Sequence, residues 1–456
     1  MSTNNKHLPK VGENILPDLL SGSVVFLVSI PLCLGIALAS GAPLISGLIS
    51  GIVGGIVVGV LSGSHVSVSG PAAGLTVICV DGITKIGTFE GFLTAVMISG
   101  FIQILFGLFR FGILGEYFPS AVIKGMLAGI GGVIILKQIP HALGKDTNLE
   151  VDTSFWALNS QSNSFTEVIS AIQTYHPTAA AISIVGVILI WAWERPWVKT
   201  KPVIKHIPSS LLAIFSGVLI DTLANRLSNT YSLKVEGFEH YVNLPKLDSI
   251  AAISSEVITP DFGLLSSPTV WIVAMTIAIV GSVESLLSVE AADKLDRYHR
   301  VTSMNRELFA QGVGNSISGV LGGIPITSVM IRSSANIYAG ARTKVSTIFN
   351  AFLICFFVFL FPGVLELIPL SALAAILIMI GFKLMSPKVM KEMYLTGKDQ
   401  FFPYFATFLA IVLTDLLTGV ILGLFIGLYF VLKTNHHDSI AVVNDGNNYL
   451  LRVNKD

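Results

Sequence analysis

Ser67-Val-Ser-Gly-Pro-Ala-Ala-Gly-Leu75 and Gly322-Gly-Ile-Pro-Ile-Thr-Ser-Val-Met330 are the stretches that decide how this chain folds. Both lie in apolar sequence, and both crowd Gly, Pro and Ser together where a helix crossing lipid would otherwise run unbroken. Hydrocarbon supplies no partner for a bare N–H or C=O, so a helix broken at that depth is packed in protein or lines something polar. Paired breaks in corresponding parts of two halves are the best sequence pointer to a binding site inside a membrane protein.

The surrounding composition makes the membrane reading necessary. Of 456 residues, 52% are hydrophobic and 12% charged, against about 25% charged in a soluble domain. Net charge is zero and no dense basic run occurs, so nothing points to nucleic acid as a partner. Cys33, Cys79 and Cys355 all sit in apolar segments and read as small core residues, not as a disulfide or metal set. The apolar run from Ile15 carries Pro17, Asp18 and Pro31 and is followed by many more spans, which does not match a cleavable signal peptide.

Hydropathy places spans at 15–38, 42–62, a half-span from about 70, 89–110, 117–139, 177–194, 206–224, 268–290, 305–321, a half-span from about 326, 344–361, 368–384, 401–416 and 417–433. The fold class expected is an all-α polytopic membrane protein of 14 transmembrane segments. Charge gives an independent check, because Lys and Arg gather in cytoplasmic loops. With the N-terminus inside, cytoplasmic loops collect Arg195, Lys199, Lys201, Lys205, Lys294, Arg297, Arg300, Arg306, Arg342, Lys344, Lys383, Lys388, Lys391 and Lys398. Outside loops hold only Lys85, Lys145, Arg226, Lys234 and Lys246. Miscounting either half-span would invert every later loop. Fourteen spans divide as seven plus seven, and an odd number per half turns the second half upside down, predicting an inverted repeat with half-helices as segments 3 and 10.

Three regions follow: a cytoplasmic N-terminal tail 1–14, a transmembrane domain 15–433 and a cytoplasmic tail 434–456. In the tail, Ile440-Ala-Val-Val443, Asn444-Asp-Gly-Asn447 and Asn448-Tyr-Leu-Leu-Arg-Val453 read as strand, turn, strand. In the second span Gly47, Gly51, Gly55, Gly59 and Gly63 recur every fourth residue, a smooth stripe that predicts close helix packing.

The helix that begins after each break presents unpaired N–H groups and the positive end of its dipole, about half an elementary charge. Two such ends suit a small anion, and Ser67, Ser69, Thr327 and Ser328 add hydroxyls. The anion-binding set is Ser69, Gly70, Ala72, Ala73, Gly74, Thr327, Ser328, Val329, Met330 and Arg332. A plain kink in packed helices is the bland alternative. Glu284, deep in a span, and Ser288, one turn on along the same face, form the candidate cation or proton site, with Na⁺ as the metal they would hold. Arg332 is read three ways: positive potential behind the anion, a partner for an acid, or a snorkelling side chain. Asp415 reads as a helix-end or packing acid, Lys124 as a snorkelling cation, His65 as a hydrogen-bonded packing residue before the first break ahead of one lining the entry path, and His436 and His437 as solvated. No Ser/His/Asp set, metal-ligand cluster or nucleotide-binding loop stands out, and Gly312, Gly314 and Gly319 read as packing.

Together the two breaks, Glu284 and Asn305-Arg-Glu-Leu-Phe-Ala-Gln-Gly-Val-Gly-Asn315 resemble the sulfate permease (SulP) family of anion transporters, over Pro17 to Lys433. The resemblance implies a core domain (segments 1–4 and 8–11) moving against a gate domain (5–7 and 12–14), with the anion between the half-helices. It also implies a homodimer and a cytoplasmic STAS domain, of which the hairpin at 440–453 looks like the start. Sulfate-type members carry Ile-Pro-Gln in the first span, whereas this chain reads Ile30-Pro31-Leu32-Cys33. Pro31-Leu32 and the acid-Ser-Leu-Leu-hydroxyl pattern at 284–288 are more similar to sodium-driven bicarbonate members, which have Asp and Thr where Glu284 and Ser288 stand.

The expected function is secondary transport of a small inorganic oxyanion, bicarbonate ahead of sulfate, by symport with Na⁺ or H⁺. It would occur in a lipid bilayer identified with a prokaryotic inner membrane, with both termini cytoplasmic. An uncoupled anion channel or exchanger is the alternative on the same scaffold. An enzyme is disfavoured because no nucleophile-base pair is visible, and a nucleobase carrier because a neutral substrate gains little from two positive helix ends. No cofactor other than Na⁺ as coupling ion is expected.

Overall fold

Apolar runs become helices here, and strand replaces helix where Gly, Pro and Ser cluster. The computed structural model describes residues 15–113, 119–145, 164–195, 198, 208–227, 233–235, 238–244, 258–414, 416–437, 441–445 and 448–452. In chain order the first half contains α1 (Ile15–Ala39), α2 (Leu44–Leu61), β1 (Ser69–Pro71), α3 (Thr76–Ile86), α4 (Phe89–Leu108), α5 (Ser120–Ala142), α6 (Ser164–Gln173), α7 (Pro177–Trp193) and α8 (Ser209–Leu227). Two short strands, β2 (Lys234–Val235) and β3 (Phe238–Glu239), pair with each other before the second half. It contains α9 (Pro268–Leu295), α10 (Met304–Val320), β4 (Ile326–Ser328), α11 (Met330–Tyr338), α12 (Val345–Leu360), α13 (Leu370–Leu384), α14 (Pro387–Thr396), α15 (Lys398–Leu413) and α16 (Leu416–His437).

Helix ends follow local chemistry. Pro177, Pro268 and Pro387 open their helices, where a missing N–H costs nothing. The Thr88 hydroxyl accepts from the Gly91 N–H at 3.2 Å and caps α4. Gly87, at φ 88°, ends α3 in the left-handed conformation that glycine adopts without strain.

The helices agree with the expected spans to within a few residues, and the differences are local. Residues 54–58 of α2 form a π-helical stretch. The half-helices begin after the breaks, at Thr76 and Met330. Short helices α6 and α14 had no counterpart in the expected spans, because neither has a run of apolar residues long enough to register. The stretches Ile15–Ala39, Leu44–Leu61, Phe89–Leu108, Ser120–Ala142, Pro268–Leu295 and Leu370–Thr396 are each long and apolar enough to cross a membrane.

Close packing sorts the helices into two groups. In one, α1 packs on α2 and α12, and α4 packs on α9 and α10. In the other, α13 packs on α5 and α7, α8 on α7, and α15 on α5 and α16. Glycine sets the closest approaches, as the stripe on α2 predicted: a β-carbon at Gly51 would lie 2.7 Å from Cys33 Sγ, and one at Gly59 3.3 Å from the Thr347 methyl. Gly312 and Gly319 likewise bring α10 onto the backbone of α4. The largest cluster of buried apolar side chains, including Phe92, Ile130, Ile277 and Leu377, runs through both groups. After α16, β5 (Ala441–Asp445) and β6 (Asn448–Arg452) pair antiparallel, so that Asn444 and Asp445, read as turn from the sequence, lie in a strand. The 1–14 tail and Asp415 lie outside the described residues, as do Lys199, Lys201, Lys205 and Lys246.

Candidate functional site

The two breaks meet. Strands β1 and β4 form an antiparallel ladder in which Ser69 faces Ser328, Gly70 faces Thr327 and Pro71 faces Ile326. The Val329 N–H donates to the Val68 carbonyl at 3.0 Å and extends the pairing by one step. Backbone groups that lost their helix thus satisfy one another, which is how irregular backbone is tolerated at membrane depth. Helix α10 supports both strands from one face. Asn315 Nδ2 donates to the Ile326 carbonyl at 3.0 Å while its Oδ1 accepts from the Ile326 N–H at 2.6 Å. One turn earlier, Gln311 Nε2 donates to Ser69 Oγ at 2.9 Å. On the other flank Ser333 Oγ accepts from the Val68 N–H at 3.0 Å, and Asn336 Nδ2 donates to the Val66 carbonyl at 2.9 Å.

A helix leaves each strand in opposite directions. Past Pro71 the chain makes a single 3-10 turn at Ala73–Leu75 and enters α3; past Ser328 it enters α11 at once. Neither turn has a side-chain cap. The amides of Met330, Ile331 and Arg332 therefore have no partner within α11, leaving the positive end of its dipole free. At the other end the Gly74 N–H donates to the Glu284 carboxylate. The approach leaves no room for a side chain: a β-carbon on Gly74 would lie 2.5 Å from Glu284 Oε1 and 2.6 Å from Oε2.

Helix α9 carries this acid. Glu284 is half-buried, Ser288 half-buried one turn on, and between them Ser285 Oγ accepts from the Ser328 N–H at 3.3 Å. The Ser67 and Ser328 hydroxyls lie 2.5 Å apart. Ala72 is buried and Ala73, Val329 and Met330 are half-buried, so both helix starts sit at the edge of accessible space.

Two of the three readings of Arg332 do not fit its place in the fold. Its side chain is fully buried, which removes snorkelling, and no carboxylate pairs with it among the described residues. Nη2 reaches the Pro71 carbonyl at 3.4 Å, while Nε and Nη1 have no partner. The guanidinium fits because residue 70 is glycine: a β-carbon there would collide with Nη1. Buried polar atoms without a protein partner also include Glu284 Oε2, Thr327 Oγ1 and Gln311 Oε1. Leaving such atoms unpaired costs about 1–3 kcal/mol each, more when charged, and native interiors rarely gather several in one place without a ligand to meet them.

Other residues singled out in the sequence lie elsewhere. Lys124 pairs with Glu392 at 3.1 Å at the surface. His65 sits half-buried in the turn before β1; burial, then the Arg300 and Lys344 charges, lower its affinity for a proton and favour a neutral ring. The side chains of His436 and His437 are outside the described set. Among the described residues no group of three His, Cys, Asp or Glu side chains could hold a metal ion. The oxygen donors that Glu284 and Ser288 carry are of the type a hard monovalent cation takes.

Two contributors were not assigned to the site from the sequence. Asp18 accepts from the Arg342 and Thr343 N–H groups at 2.7 and 3.0 Å and from the Thr343 hydroxyl at 2.6 Å, tying α1 to the loop after α11. Glu307 is fully buried, accepting from Gln311 Nε2 at 2.9 Å and from the Ser62 hydroxyl. Its spacing to Gln311 and Asn315, four and eight residues, is the signal that places all three on one face of α10.

A comparison with known families matches the sulfate permease family model to residues 15–407. The chain belongs to the sulfate permease family. Within it, the chain is 28% identical over 393 residues to YvdB of Bacillus subtilis (strain 168), provisionally named a sulfate transporter, covering 86% of this chain and 68% of that protein. It is 26% identical over 398 residues to the bicarbonate transporter BicA of Picosynechococcus, covering 86% and 64%. The chain therefore spans about two thirds of the length of these curated relatives. Among solved structures, the transmembrane domain of a cyanobacterium BicA superposes with TM-score 0.75 at 21% identity, covering 90% of this chain and 98% of that one. The murine Slc26a9 anion transporter in the inward-facing state superposes with TM-score 0.79 at 17% identity, covering 97% and 73%. At these identities the superpositions show a shared fold.

Proposed function

We propose that this sulfate permease family member is a secondary active transporter that brings a small inorganic oxyanion, bicarbonate ahead of sulfate, into the cell by symport with Na⁺ or H⁺. The observation that carries the reading is the convergence at one strand ladder of an uncapped helix start, an unpaired buried guanidinium and a carboxylate lying on the opposite helix start. Fourteen spans in a seven-plus-seven inverted repeat, both termini cytoplasmic, a prokaryotic inner membrane and a homodimer complete the proposal.

The mechanism follows from charge. Without a cation, ionised Glu284 occupies the Gly74 amide and repels an incoming anion from that end. A proton on the carboxylate, or Na⁺ shared with Ser288, neutralises it. The anion then binds between Ala72–Gly74 and Thr327–Met330, with Ser69, Gly70 and Ser328 along the ladder and Arg332 supplying positive potential behind Gly70. The loaded site is close to neutral and passes the apolar interface between the two helix groups at far lower cost than a bare charge. Leu32 in place of a polar residue and the Glu284/Ser288 pair favour bicarbonate over sulfate.

The test is uptake of radiolabelled bicarbonate and sulfate into proteoliposomes, with Na⁺ and pH gradients imposed separately. Saturable uptake driven by one gradient is expected, and Glu284→Gln is expected to abolish accumulation above the outside concentration. Single-channel current steps, or wild-type accumulation by the mutant, would sink coupling through Glu284.

A further inference from the structure

The function assigned above leaves unused the polar face of α10, where Glu307, Gln311 and Asn315 follow one another at four-residue spacing. Gln311 is the informative member. Its Nε2 has two protons, and both are spoken for: one goes to Glu307 Oε1 at 2.9 Å and the other to Ser69 Oγ at 2.9 Å. Its own Oε1 is buried without a partner. Reversing the amide would place Oε1 against the carboxylate, oxygen against oxygen. Glu307 is held from its other side as well, since the Ser62 hydroxyl, which already accepts from the Ser64 N–H at 3.0 Å, gives its only proton to Glu307 Oε2. Lys344 Nζ in turn donates to the Ser62 carbonyl, so the chain of contacts is anchored at a cation.

The consequence falls on Ser69. A hydroxyl has one proton, and with Gln311 donating to its oxygen Ser69 must spend that proton elsewhere. Among the described residues nothing accepts it. We infer that Glu307, acting through Gln311, is a positioning residue that fixes the direction of the Ser69 hydroxyl so that it donates to the transported oxyanion. This rests on the proposed oxyanion transport and adds to it the device that makes a neutral hydroxyl selective for an acceptor.

Replacing Glu307 by Gln keeps the volume and removes the charge that holds the Gln311 amide. Gln311 can then turn its carbonyl to Ser69 and take the proton meant for the anion. The experiment is a double-mutant cycle on Glu307→Gln and Ser69→Ala, read as the KM for radiolabelled bicarbonate and for sulfate in proteoliposomes, with size-exclusion elution reporting folding. Each single variant is expected to raise KM about ten-fold, the loss of one hydrogen bond to a charged group, with the larger part of the change in KM and not in maximal rate. The double variant is expected to be no worse than Ser69→Ala alone. Losses that multiply, or a Ser69→Ala KM equal to wild type, overturn the inference while leaving transport standing. A wild-type protein that takes up neither anion overturns the transport reading itself. Should Glu307→Gln fail to fold, Ser69→Ala still decides, because an unchanged KM removes the hydroxyl from the anion.

Discussion

Gly74→Ala separates the proposed coupling from mere packing. The added β-carbon would stand 2.5 Å from Glu284 Oε1, 2.6 Å from Oε2 and 2.7 Å from Cδ. Ordinary contact begins near 3.4 Å, so the carboxylate must retreat by about 0.9 Å. It is the end of a flexible side chain, so the retreat is cheap for the fold; Gly74 lies outside the left-handed region and an alanine there is not strained. The retreat is costly for the site, because it breaks the hydrogen bond from the Gly74 N–H to the carboxylate. A hydrogen bond to a charged group contributes about 1.5–3 kcal/mol, or roughly 10- to 150-fold in an equilibrium constant. Expected, then, is a variant that elutes and melts like wild type in detergent, yet needs at least about ten-fold less driving cation for half-maximal uptake, because the lost contact favours the ionised, unloaded carboxylate. Proteoliposomes with the Na⁺ or pH gradient stepped at fixed anion supply the measurement. A normal cation dependence in a folded Gly74→Ala protein refutes the idea that the Glu284–Gly74 contact belongs to the coupling device.

Two further outcomes are expected. Arg332→Met removes a buried charge with no protein counter-ion, so its melting temperature in detergent is expected to equal or exceed that of wild type. The same variant is expected to lose at least about ten-fold in apparent anion affinity, and an unchanged KM would place Arg332 outside the site. Asp296, at the C-terminal end of α9, tests pH: burial raises its carboxyl, but the hydrogen bonds and charge of Arg300, with Nε to Oδ2 at 2.7 Å, outweigh burial and hold it below the usual range. A depressed folded value means this stabilisation is present above the unfolded value, about 3.9, and is lost as pH falls through the folded one. Asp296→Asn is therefore expected to melt below wild type at pH 7, with the gap closing under about pH 4; a gap that persists in acid contradicts the pairing.

Much of this architecture is legible in one dimension because membrane depth leaves few ways to read Gly, Pro and Ser in apolar sequence. The breaks at Ser67–Leu75 and Gly322–Met330 stood out for that reason, as did Glu284. Their pairing did not. Ser69 and Ser328 are register partners from opposite halves of the chain, and no local pattern of alternation announces a ladder three residues long. Arg332 was open to three readings because burial depends on whether residue 70 has a β-carbon, a fact about the neighbour and not about the arginine. Asp18 counted in the sequence only as a charge that argues against a signal peptide, whereas its partners, Arg342 and Thr343, come from the loop after α11, 324 and 325 residues on. Short amphipathic helices such as α14 have too few consecutive apolar residues to stand out as membrane spans.

The two helix starts are unequal, and the inequality orders the steps of the proposed transport. At α3 the first positive end already holds a negative partner, the Glu284 carboxylate on the Gly74 amide. At α11 the end is bare, and the guanidinium of Arg332 adds a full positive charge on the same helix. An anion entering an unloaded site would therefore meet attraction on one side and repulsion on the other, and a dipole end worth about half a charge does not outweigh a whole carboxylate. Only when a cation or proton has cancelled Glu284 do both sides attract. Symmetric breaks thus give an asymmetric site, and asymmetry is what coupling needs: were both ends bare, as the breaks alone would predict, the anion would bind without waiting for the cation and the gradient would do no work.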